Sequence, residues 1–194
     1  MHRLCVFCGS SSGVHKEYTD AAAQLGKIIA EAGIGLVYGG GQVGLMGVIA
    51  DAALAAGGTV IGVIPEKLVT REIAHNGLTE LKIVKSMHER KAIMADLVDG
   101  FIALPGGFGT LEEFCEVITW SQLGFHKKPV GLLNVHGFFD EFIFFLDKIV
   151  KLGFAQQVHR DLVLESTDVQ EIVTKVTTFK HTAPDKWGLT SSER

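Results

Sequence analysis

Two carboxylates, Glu112 and Glu113, close the stretch LPGGFGTLEE (Leu104–Glu113), which also carries a proline, three glycines and a threonine. A carboxylate beside a glycine-rich loop has the parts of a hydrolytic site. The loop lets backbone N–H groups approach a phosphate, and the carboxylate stabilises developing positive charge or activates a water. The same residues also read as a helix start. Thr110 and Glu113 match the capping box S/T-x-x-E, in which each side chain bonds the other's backbone N–H, with Thr110 where the helix begins. That box recurs at Ser86–Glu89 and, in Asp form, at Asp168–Glu171, with no glycine cluster in front. A cap needs no such cluster, so Gly106, Gly107 and Gly109 point to something that comes close to the backbone. Capping and chemistry both stay open for Glu113.

Two further segments offer phosphate loops. GGGQVG (Gly39–Gly44) satisfies G-x-G-x-x-G through Gly39, Gly41 and Gly44, with Gly40 between them, and a helix N-terminus behind such a loop attracts anions. NAD binding would also need an acidic residue about 20 positions on. Glu66 fits by distance, but it follows Pro65 and the fingerprint falls on the second strand rather than the first, which argues against NAD. Gly9 and Ser10 open a similar loop after the first strand. SMHERKAIM (Ser86–Met94) places Arg90 and Lys91 in or just past the first turn of a helix, where the dipole disfavours cations. An anion held between this helix and the glycine loops would offset that, and Arg suits bidentate phosphate recognition. No metal is expected: the eight histidines include no H-E-x-x-H, and C-x-x-C occurs once. Cys5 and Cys8 lie in a strand-like run that points them to opposite faces, as two small core residues. Cys115 stands alone on a helix.

The elements that position these residues alternate. Apolar, β-branched runs lead into glycine loops at RLCVFCGSSSG, IGLVYGGGQVGLMG and GFIALPGGFGTLEE, and further strands read at TVIGVIP, LKIVKS and PVGLLNV. Helical patterns cover about 18–32, 45–56 and 86–99, then FFDEFIFFLDKIVKLG and 168–179. Continuous apolar strands between helices mean a mostly parallel sheet covered on both faces. The expected fold is α/β, a Rossmann-like doubly wound single domain over 1–180, with 181–194 a loose tail. Ligands in such sheets bind beyond the carboxyl ends of the strands, where all three glycine loops lie. The 194 residues are 47% hydrophobic and 21% charged, as in an ordinary globule, and the net charge of −4 gives no case for a nucleic-acid polymer. No apolar run is long enough to span a membrane, and MHRLCVFCGSS lacks a signal peptide's apolar region, so a cytoplasmic protein is expected.

Together, MHERKAIM, GGGQVGLMG and PGGFGTLEE resemble the Lonely Guy (LOG) family of cytokinin-activating phosphoribohydrolases. Its signature P-G-G-x-G-T-x-x-E stands intact at Pro105–Glu113, followed by VITWSQLG (Val117–Gly124), and the resemblance covers roughly residues 3–165. It implies a Rossmann-like homodimer that cleaves the N-glycosidic bond of N6-prenylated AMP, or of AMP, to free base and ribose 5-phosphate, with no cofactor. Motif by motif, Arg90 and Glu113 are its catalytic pair. Glu72, Lys91, Gly107, Phe108, Gly109, Thr110, Leu111, Glu112 and Thr119 line its nucleotide site. Phe108 occupies the variable position, against ligand or in the core. Some members carry the label lysine decarboxylase. Pyridoxal phosphate chemistry needs a Schiff-base lysine and a partner for the pyridinium nitrogen; Lys91 is the only lysine in the three motifs, and no partner stands out. The alternative function is a non-catalytic nucleotide or molybdenum-cofactor carrier, which would keep the loops without needing Arg90 and Glu113 together.

Overall fold

The structure, a computed structural model, describes residues 1–69 and 74–181; Glu72 and the expected tail beyond 181 lie outside the described residues. Seven strands form one sheet: β1 (Arg3–Phe7), β2 (Gly35–Tyr38), β3 (Val60–Pro65), β4 (Glu80–Val84), β5 (Gly100–Ala103), β6 (Val130–Leu133) and β7 (Val163–Ser166). Their order is β4-β3-β2-β1-β5-β6-β7, and every neighbouring pair is parallel. β2, β3, β5 and β6 are buried at every position, whereas the edge strands β4 and β7 are partly exposed. Helices on both faces remove the alternation of polar and apolar residues that a half-wet sheet would show.

On one face lie α1 (Lys16–Glu31), α2 (Gly44–Ala55) and α7 (Val169–Thr178); their apolar sides share a core with Leu4, Val6, Cys8, Leu36 and Tyr38. On the other lie α3 (Met87–Asp96), α4 (Phe108–Gln122) and α5 (Asp140–Lys151), packed with Cys5, Phe7, Val37, Phe101 and Ala103. A short α6 (Gln157–Arg160) leads into β7. The doubly wound, parallel expectation is met, and Cys5 and Cys8 do face opposite cores as free thiols. Burial first, then the Glu113 carboxylate, pushes both thiols well above the ordinary cysteine range. Neither is a nucleophile at neutral pH. α6 and β7 were not foreseen, because VLES is short, half polar and preceded by a polar run.

The chain starts in the middle of the sheet, builds outward to β4, then returns to lay β5 on the other side of β1. This reversal of winding is the switch point at which strand ends diverge and leave a crevice. Two backbone bonds draw three loops together there. Gly9 N–H donates to Pro105 O at 3.0 Å, and Leu45 N–H donates to Gly9 O at 3.0 Å.

The helix starts correct one expectation. Ser86 and Asp168 are N-caps, accepting from Glu89 N–H at 3.1 Å and Glu171 N–H at 2.7 Å. The return arms differ from a strict box: Glu89 accepts from Lys85 N–H, and Glu171 takes the Ser166 hydroxyl. Thr110, by contrast, caps nothing. α4 starts two residues earlier with Gly107 as its N-cap, so Thr110 lies inside the first turn and Glu113 in the second. Asp168→Ala removes a true cap and should lower stability by about 1 kcal/mol, a fall of roughly 2–4 °C in a thermal melt for a chain of this size.

Candidate active site

The loops converge on a cleft of about 290 Å³ at the switch point, walled by Gly9–Gly13, Pro105–Gly107 and the side chains of Tyr18, Leu45 and Phe138. The N-terminus of α4 opens at its edge, with no side-chain cap and no acidic residue in the first turn. The first N–H groups of a helix have no intrahelical partners, and they carry the positive end of its dipole. The glycines here divide into two kinds. Gly106 is needed for packing: a Cβ there would overlap Thr110 Oγ1 and lie 2.9 Å from Gly9 N. Gly107 and Gly109 are not. Neither is in the left-handed region, and a Cβ at either would meet nothing within 4 Å. A glycine inside a helix costs about 1 kcal/mol against alanine, so Gly109 spends stability on open space over the helix end.

Arg90 and Glu113, the latter one turn along α4 from this end, meet with Arg90 Nη2 3.6 Å from Glu113 Oε1, and neither lines the cleft. Arg90 is 6% exposed and Glu113 7%. At 3.6 Å the pair attracts without forming a full hydrogen bond. Arg90 Nη1 leans on Met87 Sδ at 3.7 Å, and its Nε is buried with no partner among the described residues. Gly39 lies under the guanidinium, and a Cβ there would overlap Nη2.

The expected site residues therefore separate. Carboxylates of α4 offset the dipole penalty on Arg90 and Lys91. Lys91 Nζ donates to Glu112 Oε1 at 2.5 Å and to Glu116 Oε1 at 3.0 Å. Burial alone would lower the Lys91 pKa, but these two carboxylates raise it above the ordinary lysine value. Gly39, Gly40 and Gly44, expected to cradle phosphate, pack against Arg90, Ile64 and the Ser10–Ser11 backbone respectively, and Gly41 bridges Ala74. Gly9 and Ser10, with Gly106 and Gly107, do line the cleft. Phe108 is 93% exposed, so it is not a core residue. Leu111 is half-buried in α4, packed against the core on that face. Thr119 donates to Cys115 O in the groove between α4 and α5, about 15 Å along the helix from its glycine end. Tyr18 and Phe138, which wall the cleft, were missed. They come from a helix and a loop that only the fold brings there.

The sequence profile of the family described as "Possible lysine decarboxylase" matches residues 46–176. The chain is 53% identical over 174 residues to the cytokinin riboside 5'-monophosphate phosphoribohydrolase LOG of Oryza sativa subsp. japonica, covering 90% of this chain and 72% of the relative. It belongs to the LOG family. A second LOG relative, LOG7 of Arabidopsis thaliana, is 51% identical over 178 residues, covering 92% of this chain and 82% of the relative. Among solved structures, the molybdenum cofactor carrier protein of Chlamydomonas reinhardtii aligns with a TM-score of 0.68 at 24% identity, over 91% of this chain and 96% of that one. At that identity the likeness is one of fold, and it agrees with the doubly wound architecture seen in this LOG chain. The profile's description would call for pyridoxal phosphate, which the residues do not fit. Lys91, held as an ammonium between Glu112 and Glu116, is a poor Schiff-base former. Among the described residues no three His, Cys, Asp or Glu side chains gather to hold a metal, and no helix is long and apolar enough to cross a membrane.

Proposed function

We propose that this chain is a phosphoribohydrolase that cleaves the N-glycosidic bond of cytokinin riboside 5'-monophosphates, and of AMP, releasing base and ribose 5-phosphate. The observation that carries the reading is the buried Arg90–Glu113 pair behind an uncapped, glycine-opened helix end, in a chain about half identical to curated LOG enzymes. In this reading the 5'-phosphate sits on the first N–H groups of α4. Glu113 follows about one helical turn later, roughly 5–6 Å along the axis, a span that a ribose bridges. As the bond from C1' to the base nitrogen breaks, its electron pair leaves with the base, which takes a proton from solvent to balance the one Glu113 later returns there, and positive charge develops on the ribose. Glu113 stabilises that charge and takes a proton from the water that attacks C1'. Arg90 orients the phosphoribosyl group, and the phosphate contacts hold C1' in place.

A homodimer belongs to the same reading. No residue of α5 is buried. Phe144 (71% exposed), Phe145, Leu152 and Phe154 (81%) leave large apolar side chains exposed on and just after α5, of a kind that marks protein contacts. A second copy seated there would cover these rings. Phe144→Asp with Phe145→Asp is then expected to turn a dimer into a monomer in sedimentation velocity; a wild-type chain that sediments as a monomer rejects the dimer.

The function is tested by incubating the protein with AMP and with isopentenyl-AMP and separating the products. Free base and ribose 5-phosphate in equal amounts are expected. Binding of nucleotide without release of base from either would reject the hydrolase and favour a carrier.

A further inference from the structure

A histidine that this chemistry does not use holds the loop beneath Arg90. His75 is 5% exposed, and its ring is engaged at both nitrogens. Nδ1 lies 3.0 Å from the backbone nitrogen of Gly77, and Nε2 lies 2.9 Å from Asp51 Oδ1 on α2. A backbone N–H can only donate, so Nδ1 is the acceptor and the proton is on Nε2, donated to Asp51. The backbone of the same segment grips the glycine loop. His75 N–H donates to Gly40 O at 3.0 Å, and Ala74 bridges Gly41. The buried Tyr38 hydroxyl also donates to Gly41 O at 3.1 Å. Gly39, the residue before Gly40, is the surface on which the Arg90 guanidinium rests.

We propose that His75 is a positioning residue: as a neutral, Nε2-protonated imidazole it ties α2 to the 74–77 strap, fixes the height of the Gly39–Gly41 loop, and so sets the separation of Arg90 and Glu113. This rests on the reading that Arg90 and Glu113 carry out the hydrolysis. A purely structural role makes a different forecast. Asp51 is largely exposed and Gly77 is exposed, so water can replace both lost bonds, and a variant would lose some stability but no turnover. A positioning role acts on kcat, because a misplacement of about 1 Å at a reacting group lowers rates by up to about 10²-fold.

The experiment measures kcat and KM for AMP and isopentenyl-AMP, and thermal stability, for wild type, His75→Ala, His75→Gln and Asp51→Ala. It adds the ¹⁵N shifts of the His75 ring in the wild-type protein. His75→Ala is expected to lower kcat about 10-fold or more with KM within about twofold. His75→Gln, whose amide N–H can reach Asp51 from the Nε2 position, recovers most of the loss. Asp51→Ala reproduces part of it, and the ring nitrogens show the Nε2-protonated tautomer near neutral pH. His75→Ala at wild-type kcat, His75→Gln as slow as a folded His75→Ala, or an Nδ1-protonated ring each overturns the proposal. Should His75→Ala fail to fold, Asp51→Ala and the tautomer decide it. Wild-type protein inactive on both nucleotides overturns the hydrolase reading and this proposal with it; an active wild type with an unimpaired, folded His75→Ala overturns this proposal alone.

Discussion

Glu113→Gln is expected to slow base release by about 10²–10⁴-fold, the range lost with a general base, while the protein stays folded and binds nucleotide. Glutamine keeps the size of the side chain and can still offer Arg90 a carbonyl oxygen, but it neither carries charge nor accepts the proton of a water. The helix start is insulated from the change, because Gly107, not Thr110 with Glu113, occupies the N-cap. Single-turnover release of adenine from AMP, read beside calorimetric binding of AMP, separates the two roles. A Glu113→Gln protein that turns over at the wild-type rate would make Glu113 a structural partner of Arg90 and nothing more.

Arg90→Ala should be the most damaging single change to both activity and stability. It removes the group held over Gly39 and leaves Glu113 buried without this cation. Breaking one side of a buried pair typically costs about 3–5 kcal/mol, so urea denaturation should show a loss of that order, partly restored in Arg90→Ala/Glu113→Gln. Arg90→Lys is the sharper test of chemistry. The ammonium is a point charge on a flexible stem, whereas the seat above Gly39 fits a flat guanidinium with several donors. Arg90→Lys is therefore expected to fold well but to turn over at least about 10-fold more slowly. Wild-type kcat in Arg90→Lys would reduce Arg90 to a generic positive charge.

Much of the fold was legible because the central strands are continuous apolar runs and the loops after β1, β2 and β5 announce themselves with glycine. Helix ends were read to within a few residues where Ser86 and Asp168 cap them. The reading failed at Thr110, where the motif for a cap is present but the chain had already turned helical at Phe108, since Gly107 takes up the cap conformation without needing a side chain. Charge was the least legible feature. Arg90 and Lys91 look like a costly basic pair on a helix surface, and their partners lie on α4, more than twenty residues on. No local pattern encodes that pairing; it follows from α3 and α4 packing on one face of the sheet. Likewise His75 looks like an ordinary loop histidine until α2 brings Asp51 against it.

The order of the strands also bears on how the molecule is made. β1 waits in the middle of the sheet for β5, pairing Leu4 with Gly100 and Phe7 with Ala103, and closing so long a loop is slow compared with the local pairings of β2 to β4. Arg90 precedes β5 in the chain and Glu113 follows it. A ribosome that has released only the first half of the chain exposes a glycine loop and an arginine with no carboxylate opposite. Nucleotide turnover thus requires both halves of the sheet to be joined, and assays of refolding that follow base release will include the slow β1–β5 closure.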